Sequence, residues 1–115
     1  MSTLKIYHNP RCSKSRKTLE IIQQKGLVPE IIKYLETAPT IKEIELVLTK
    51  LNLEPRQIMR KNETEYKQYF TDELLTNKQL VELMHKYPKV IERPIVLNKN
   101  KAVIGRPPEA VLEIL

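Results

Sequence analysis

The sequence predicts an α/β fold, built from a β-α-β unit and a β-β-α unit with a helical insertion between them. Three observations lead to this prediction: strand-like alternation near both ends of the chain, a helical pattern after the first strand, and two capped amphipathic helices in the middle. The 115 residues are enough to bury one core but too few for two. We therefore expect a single domain over residues 1–115, with the insert at about residues 38–90.

The first part of the chain has the pattern of two strands joined by a helix. Residues 3–7 alternate between apolar and polar side chains, which indicates a strand. A helical pattern begins at Ser13, and Gly26 stands where a left-handed residue usually ends a helix. Residues 30–34 predict a second strand. Residues 3–34 therefore predict a β-α-β unit with a right-handed crossover and parallel strands.

The predicted insert is helical because it contains two sequence signals for helix starts. Residues 40–43 and 76–79 are capping boxes, in which two side chains satisfy backbone amides at a helix start. Between them, Pro55 is placed to start a short helix carrying Arg56 and Arg60. The apolar faces predicted for the two capped helices are Ile41, Ile44, Val47, Leu48 and Leu51, and Leu80, Leu83, Met84 and Tyr87.

The last part of the chain returns to strand patterns. Residues 95–97 and 102–104 are apolar, and the polar residues 98–101 between them predict a hairpin. Pro107 and Pro108 suit the first turn of a final short helix. The complete element order, β-α-β, helical insert, β-β-α, is that of a thioredoxin-like domain with an insertion between its halves.

The charge balance points to an anionic partner. Twenty basic and 14 acidic residues give a net charge of +6, which favours nucleic acid, an anionic membrane surface or a small oxyanion. The basic residues are spread along the chain and form no stripe, which argues against nucleic acid. The chain has no apolar run near the roughly 18 residues of a membrane span and no export signal. We expect a cytoplasmic protein that binds neither nucleic acid nor membrane.

Cys12 is the only cysteine in the chain, so no intrachain disulfide can form and a reducing compartment is expected. The residue is either an inert buried side chain or a reactive thiol that an external thiol must reset. Its place at the start of a predicted helix, with Arg11, Lys14 and Arg16 nearby, favours the thiolate. The same helix-start amides form an anion site, so nucleophile and oxyanion would meet there.

Two residues near Cys12 bear on the reactivity of its thiol. His8 either holds a positive charge near the sulfur or only makes a hydrogen bond at the strand end, and both interpretations stay open. Ser15 replaces the second thiol of a Cys-x-x-Cys motif, so a mixed disulfide needs an external donor such as glutathione or glutaredoxin. A phosphatase-like Cys-x5-Arg motif is excluded, because the required position holds Thr18.

The sequence predicts no bound metal or cofactor. His85 lies among charged residues and is expected to be solvated, and no set of histidines and cysteines has metal-ligand spacing. A chain with two glycines also has no glycine-rich nucleotide loop. Any redox electrons would therefore come from thiols.

Two arginines flank the predicted hairpin. Arg93 and Pro94 lead into its first strand, where thioredoxin-like folds place a cis-proline facing the active-site loop. Arg106 follows its second strand. Guanidinium groups suit a bidentate grip on tetrahedral oxyanions, so both arginines are candidate substrate ligands.

These motifs together resemble the glutaredoxin-coupled arsenate reductases over essentially the whole chain. The matching segments are His8-Asn9-Pro10-Arg11-Cys12-Ser13-Lys14-Ser15-Arg16-Lys17-Thr18-Leu19, Tyr34-Leu35-Glu36, Arg60-Lys61, Glu92-Arg93-Pro94-Ile95-Val96 and Arg106-Pro107-Pro108-Glu109. The resemblance implies a cysteine that attacks arsenate, glutathione as co-substrate and glutaredoxin as the partner that completes reduction to arsenite. The site residues that it implies are the catalytic Cys12, His8 and Ser15 and the substrate-binding Arg60, Arg93 and Arg106.

Two other functions remain open at this point. A Spx-type regulator that docks on RNA polymerase shares the fold, but it typically uses the Cys-x-x-Cys switch that Ser15 removes, and it lacks the element at residues 106–109. A glutathione-dependent thiol oxidoreductase without arsenate activity would use the same monothiol site.

Overall fold

The structure of the chain is a computed structural model that describes residues 4–115 and divides into two compact units. The first unit combines Met1–Thr37 with Arg93–Leu115, and the second is Ala38–Glu92. The predicted helical insert falls within the second unit, while the single-domain assignment stays a prediction. Residues 1–3 lie outside the described residues. The first residue of the predicted first strand and the start of the segment considered as an export signal fall within them.

The first unit is built on a four-stranded mixed sheet. Its strands are β1 (Leu4–Tyr7), β2 (Glu30–Ile32), β3 (Ile95–Asn98) and β4 (Lys101–Ile104), in the order β2-β1-β3-β4. In β1, Ile6 lies opposite Ile31 of the parallel neighbour and opposite Val96 of the antiparallel neighbour. Strands β3 and β4 form an antiparallel hairpin. The predicted thioredoxin-like α/β fold, its parallel first pair and its C-terminal hairpin are confirmed.

One α-helix and one 3-10 helix complete this unit. Helix α1 (Ser13–Gln24) starts immediately after Cys12, as predicted. Gly26 has a φ of +75° just after the helix, which is the left-handed conformation that glycine adopts at little cost. The final helix, Pro108–Glu113, is a 3-10 helix that contacts α1.

The core of the first unit forms where α1 and the 3-10 helix pack on the sheet. Its buried residues are Leu4, Ile6, Ile22, Val96 and Val111. Burying a large aliphatic side chain contributes roughly 1.5–3 kcal/mol, so this cluster is the main force holding α1 on the sheet. The thiol at the start of α1 is therefore carried by a well-packed helix.

The second unit is helical. It contains α2 (Ile41–Leu51), α3 (Thr64–Tyr69) and α4 (Asn77–Lys86), with 3-10 turns at Pro55–Ile58 and Pro88–Val90. Both predicted capping boxes are present: Thr40 and Glu43 exchange hydrogen bonds of 3.1 and 3.0 Å, and Thr76 and Gln79 exchange bonds of 3.1 and 2.9 Å. Its core residues from α2 and α4 are Ile44, Val47, Leu48, Leu80, Val81 and Met84. No helix in residues 4–115 is long and apolar enough to cross a membrane.

Two local predictions for the second unit were wrong, and one short helix was not predicted. The short helix expected to carry Arg60 ends at Ile58, because the chain turns to extended backbone pairing, with Arg60 N–H donating to Val90 O at 2.7 Å. Helix α3 was not predicted, since none of its residues is buried and it lacks an apolar face. Ile41 was placed on the buried face of α2, but it is 38% exposed.

The boundaries of several elements also differ from the predicted boundaries. Strand β2 ends at Ile32, because the backbone N–H groups of Glu36 and Thr37 both donate to the Lys33 carbonyl at 3.0 Å and form a turn. Each hairpin strand is one residue longer than predicted, around a two-residue turn in which Lys99 has a φ of 58°. The left-handed residue supplies the backbone twist that such a tight hairpin turn requires.

Candidate active site

Cys12 lies at the N-terminus of α1, at the end of a short loop after β1. The His8 N–H donates to the Ile32 carbonyl at 2.8 Å, which extends the sheet pairing to the start of this loop. The Cys12 N–H donates to the Asn9 carbonyl at 3.0 Å, and the Cys12 carbonyl accepts from Arg16 N–H at 3.0 Å. The loop and the first helical turn together fix the position of the thiol.

The surroundings of Cys12 favour the thiolate. The side chain is only 9% exposed, and this burial on its own raises the pKa of the thiol. The backbone N–H of Ser15 and the guanidinium of Arg93 lower the pKa. The backbone N–H of Lys14 and the guanidinium of Arg106 lower it further. The stabilising contacts outweigh burial, so the pKa of Cys12 lies below its ordinary value.

The two arginines that flank the hairpin meet near this sulfur. Nη2 of Arg106 lies 3.8 Å from the Cys12 Sγ. Nε of Arg106 donates to the backbone carbonyl of Arg93 at 2.8 Å, so one arginine is oriented by the backbone of the other. Nε and Nη1 of Arg93 are buried. The Arg93–Pro94 and Arg106–Pro107 peptide bonds are both cis, the first at the position that the sequence indicated.

Gly105 is a residue of this site that the sequence reasoning missed. A Cβ added there would lie 2.5 Å from Thr18 Oγ1 and 2.8 Å from Pro94 Cγ. The Gly105 N–H also donates to the Pro94 carbonyl at 2.9 Å. The hairpin end therefore approaches α1 closely, and Arg106 leaves from that point. The available signal was that one of only two glycines in the chain directly precedes Arg106.

His8 and Ser15, which flank Cys12 in the sequence, form a buried pair. His8 Nδ1 lies 2.6 Å from Ser15 Oγ, and that oxygen also accepts from the Asn9 N–H at 3.1 Å. Burial lowers the pKa of His8, and the positive charges of Lys33 and Arg16 lower it further. The structure therefore favours the hydrogen-bonding interpretation of His8 over the charged one, because the imidazole is neutral near pH 7.

Arg60 belongs to the second compact unit. Its guanidinium forms a hydrogen-bonded ion pair with Glu63, and the side chain is partly buried. Its role as a substrate ligand stays a prediction. His85, in the same unit, is exposed on α4, but its Nδ1–H donates to the Pro39 carbonyl at 2.7 Å. Within residues 4–115, no group of three or more His, Cys, Asp or Glu side chains is arranged to hold a metal ion.

The fold and the site define a thioredoxin-like protein with one activated cysteine beside two arginines. The profile of the ArsC family matches residues 7–114. The chain belongs to the ArsC family.

Similar proteins cover almost the whole chain. A protein of Haemophilus influenzae named Arsenate reductase is 46% identical over 112 residues, covering 96% of this chain and 97% of the relative. The protein YfgD of Escherichia coli K12, described as uncharacterized, is 46% identical over 116 residues, covering 97% and 96%. A solved structure described as Arsenate reductase from Vibrio cholerae superposes with a TM-score of 0.94 at 47% identity and covers 97% of each chain.

Proposed function

We propose that this protein is an arsenate reductase, which reduces arsenate to arsenite through an adduct between Cys12 and arsenic. The observation that carries the proposal is the contact between the activated Cys12 sulfur and the Arg106 guanidinium, 3.8 Å apart. The nucleophilic sulfur therefore lies next to a guanidinium, a group that binds oxyanions well. Relatives that are 40–46% identical over their matched lengths and carry the name Arsenate reductase support the choice of arsenate.

The first step forms the covalent adduct. The Cys12 thiolate attacks arsenic, a sulfur–arsenic bond forms, and one arsenic–oxygen bond breaks. The departing oxygen takes up protons and leaves as water, while arsenic stays in the pentavalent state. Arg93 and Arg106 bind the remaining oxygens, where charge-assisted hydrogen bonds stabilise the negative charge. We assign the same role to Arg60.

Glutathione then enters as co-substrate. Its thiol attacks the pentavalent arsenic, a second arsenic–oxygen bond breaks, and the oxygen leaves as water with the thiol proton. Glutaredoxin next attacks the glutathione sulfur, so a disulfide forms and the arsenic–sulfur bond breaks. The electron pair of that bond remains on arsenic, which becomes trivalent. Water releases arsenite from Cys12 and restores the thiol.

External thiols are part of the proposal because the position that a resolving thiol would occupy holds Ser15. The Ser15 side chain is fully buried and hydrogen-bonded to His8, so it positions the loop and carries no electrons. We propose that thiols supply all the electrons, that no cofactor is bound, and that the protein works in the cytoplasm, where thiols are kept reduced.

The deciding experiment measures arsenite formed from arsenate by the purified protein with glutathione and glutaredoxin. Wild-type protein is expected to produce arsenite only when both thiols are present, and Cys12→Ser is expected to produce none. Lys25→Ala serves as a matched control, because Lys25 is an exposed residue at the end of α1. Arsenite production by Cys12→Ser at the wild-type rate contradicts the mechanism. Reduction of glutathione mixed disulfides without any arsenate turnover identifies a thiol oxidoreductase.

A further inference from the structure

An edge strand of the sheet carries a large share of the exposed apolar surface. Strand β2 lies at one end of the order β2-β1-β3-β4, so only one of its sides is paired within the described residues. Of the nine large hydrophobic side chains that are exposed in residues 4–115, four lie around this strand: Leu27, Val28, Ile31 and Leu35. Val28 is 85% exposed. Apolar side chains that cluster at an unpaired strand mark an interaction surface.

We propose that this edge pairs with the same edge of a second copy of the chain. The two β2 strands lie antiparallel about a two-fold axis that passes between the two Ile31 residues, so the sheets of both copies join into one continuous sheet. The inference concerns association of the protein and does not rest on the proposed function.

The backbone of β2 alternates between groups that face β1 and groups that face away from it. The His8 N–H donates to the Ile32 carbonyl at 2.8 Å, so the backbone groups of Ile32 face β1. In a parallel pair the groups of every second residue face the neighbouring strand, and those of the residues between them face the other way. The N–H and C=O of Ile31 therefore point out of the sheet edge, as do the carbonyl of Pro29 and the N–H of Lys33. These are the groups that a second strand must satisfy.

The outward groups are complementary to themselves. With Ile31 opposite Ile31 of the second copy, the two residues exchange a reciprocal pair of hydrogen bonds. Lys33 then lies opposite Pro29 of the other copy, and its N–H donates to the Pro29 carbonyl. Proline has no N–H to return a bond. None is needed, because the Lys33 carbonyl already accepts from the N–H groups of Glu36 and Thr37 at 3.0 Å.

The same features disfavour pairing with an unrelated strand. Short length, proline and lysine are common protections of an edge strand, and β2 has three residues between Pro29 and Lys33. An ordinary strand on this edge would leave one N–H opposite the occupied Lys33 carbonyl and one C=O opposite Pro29. Each unpaired backbone group that loses its water costs free energy. A second copy avoids both costs, which favours it as the occupant.

The side chains suit the same symmetry. An axis at Ile31 brings the two exposed Ile31 side chains together on one face of the joined sheet. Leu27 and Leu35 lie four positions before and after Ile31, so Leu27 of each copy is on the same side of the interface as Leu35 of the other. Covering this apolar surface is favourable. Glu30 and Lys33, the charged residues nearest the axis, have opposite signs, so the joined edge has no local excess of charge.

Sedimentation velocity of the full chain measures the association. A short edge buries less surface than a standard interface, so we expect a dissociation constant on the order of 100 μM, within a concentration series from about 10 μM to about 1 mM. Each copy has a net charge of +6, so the copies repel each other over the rest of their surfaces. Added salt screens this repulsion and should tighten the dimer, whereas it would weaken a dimer held by ion pairs.

An NMR sample that mixes isotope-labelled and unlabelled protein locates the interface. In the proposed register Glu30 of one copy lies opposite Ile32 of the other as a non-hydrogen-bonded pair, with Cα atoms about 4.5 Å apart. We expect an intermolecular NOE between the Hα protons of these two residues. The Ile31 amide should also exchange with D2O more slowly as the protein concentration rises, because the dimer hydrogen-bonds this group.

A charge at the axis tests the interface by substitution. Ile31→Lys places two like charges opposite each other and should weaken the dimer at least tenfold. Val28→Lys, at the more exposed position, should weaken it to a smaller extent and serves as a second test if Ile31→Lys lowers stability. Leu74→Lys is the matched control, because Leu74 is 87% exposed in the second compact unit and the change in charge is the same. Circular dichroism and urea unfolding of each variant check that the fold is retained.

Each outcome supports or overturns the dimer. Concentration-dependent association that Ile31→Lys weakens and Leu74→Lys does not, together with the NOE between Glu30 and Ile32, establishes it. Wild-type protein that stays monomeric at about 1 mM in high salt overturns it. A dimer that lacks this NOE, or that folded Ile31→Lys and Val28→Lys form as readily as wild type, uses another interface or register and also overturns it. None of these results depends on whether the protein produces arsenite.

Discussion

Arg106 and Cys12 are 94 residues apart in the sequence, yet the Arg106 Nη2 lies 3.8 Å from the Cys12 Sγ. The contact depends on the hairpin, because Arg106 is also held by the Arg93 backbone carbonyl at 2.8 Å. The fold therefore holds the positively charged Arg106 guanidinium next to the sulfur of Cys12, because the Arg93 carbonyl orients this side chain.

Replacing Arg106 should therefore affect both the thiol and the substrate. In Arg106→Ala the pKa of Cys12 should rise, because one of the positive charges that stabilise the thiolate is lost. The rate of alkylation by iodoacetamide as a function of pH measures this directly. The kcat/KM for arsenate should fall at least tenfold, the effect of roughly one charge-assisted hydrogen bond. Lys101→Ala, at an exposed position in β4, is the matched control. An unchanged alkylation profile would remove Arg106 from the thiolate site.

A side chain at position 105 should lower the free energy of unfolding. A Cβ in Gly105→Ala would lie 2.5 Å from Thr18 Oγ1 and 2.8 Å from Pro94 Cγ, so the packing between the hairpin and α1 must shift. Overpacking of this kind costs roughly 1–3 kcal/mol, which urea unfolding can measure. Because Thr18 supplies the closest contact, the double variant Gly105→Ala/Thr18→Ala should show a coupling that recovers part of the loss.

Gly26 provides the comparison for this prediction. A Cβ there meets nothing within 4 Å, but the φ of +75° is strained for other residues. Gly26→Ala should therefore cost about 1 kcal/mol from backbone strain and leave arsenate turnover unchanged. If Gly105→Ala behaves in the same way, close packing does not explain why position 105 holds glycine.

The sequence predicted the fold well because its signals were local. The capping boxes at residues 40–43 and 76–79, the alternation in β1 and the position of Gly26 each reflect contacts within a few residues, and all were confirmed. Helix α3 has no such signal, since it buries none of its side chains. The extended backbone at Arg60 was missed because its pairing with Val90 joins residues 30 positions apart.

Only part of the candidate active site could be predicted from the sequence. The place of Cys12 at a helix start followed from the sequence pattern, and the structure confirms it. The charge of His8 could not be decided, because it depends on burial and on Lys33, which lies on another segment of the chain. Gly105 was missed since its close contact with Thr18 exists only when the hairpin packs on α1.

Ser15 should stabilise the loop without setting the reactivity of the thiol. Its buried hydroxyl interacts with His8 Nδ1 at 2.6 Å and accepts from the Asn9 N–H at 3.1 Å. In Ser15→Ala these groups lose their partner, which should cost roughly 1–3 kcal/mol in urea unfolding. The pKa of Cys12 should stay low, because the backbone N–H groups and the arginines that lower it remain. A large rise in that pKa by iodoacetamide alkylation would instead show that the hydroxyl itself stabilises the thiolate.

His8 should make the stability of the protein depend on pH. Its pKa in the folded protein is lowered below the ordinary value of 6.5, mainly by burial. Below pH 6.5 the unfolded chain therefore binds a proton at this residue that the folded chain does not, so stability falls as the pH decreases. Its contribution is fully present well above pH 6.5 and is lost progressively as the pH falls from there toward the lowered pKa of the folded protein.

The His8→Asn variant isolates this effect, because asparagine keeps a hydrogen-bonding side chain but does not titrate. The free energy of unfolding in urea is measured at pH 7.5 and pH 5 for both proteins. Wild type should lose more stability between the two values than His8→Asn does, whatever the difference between them at pH 7.5. His85→Asn, at an exposed position of α4, is measured alongside as the control for the other histidine. Equal losses in wild type and His8→Asn would mean that His8 is protonated as easily in the fold as outside it. A smaller loss in wild type than in His8→Asn would restore the charged interpretation of His8, with an imidazolium acting on the Cys12 thiolate.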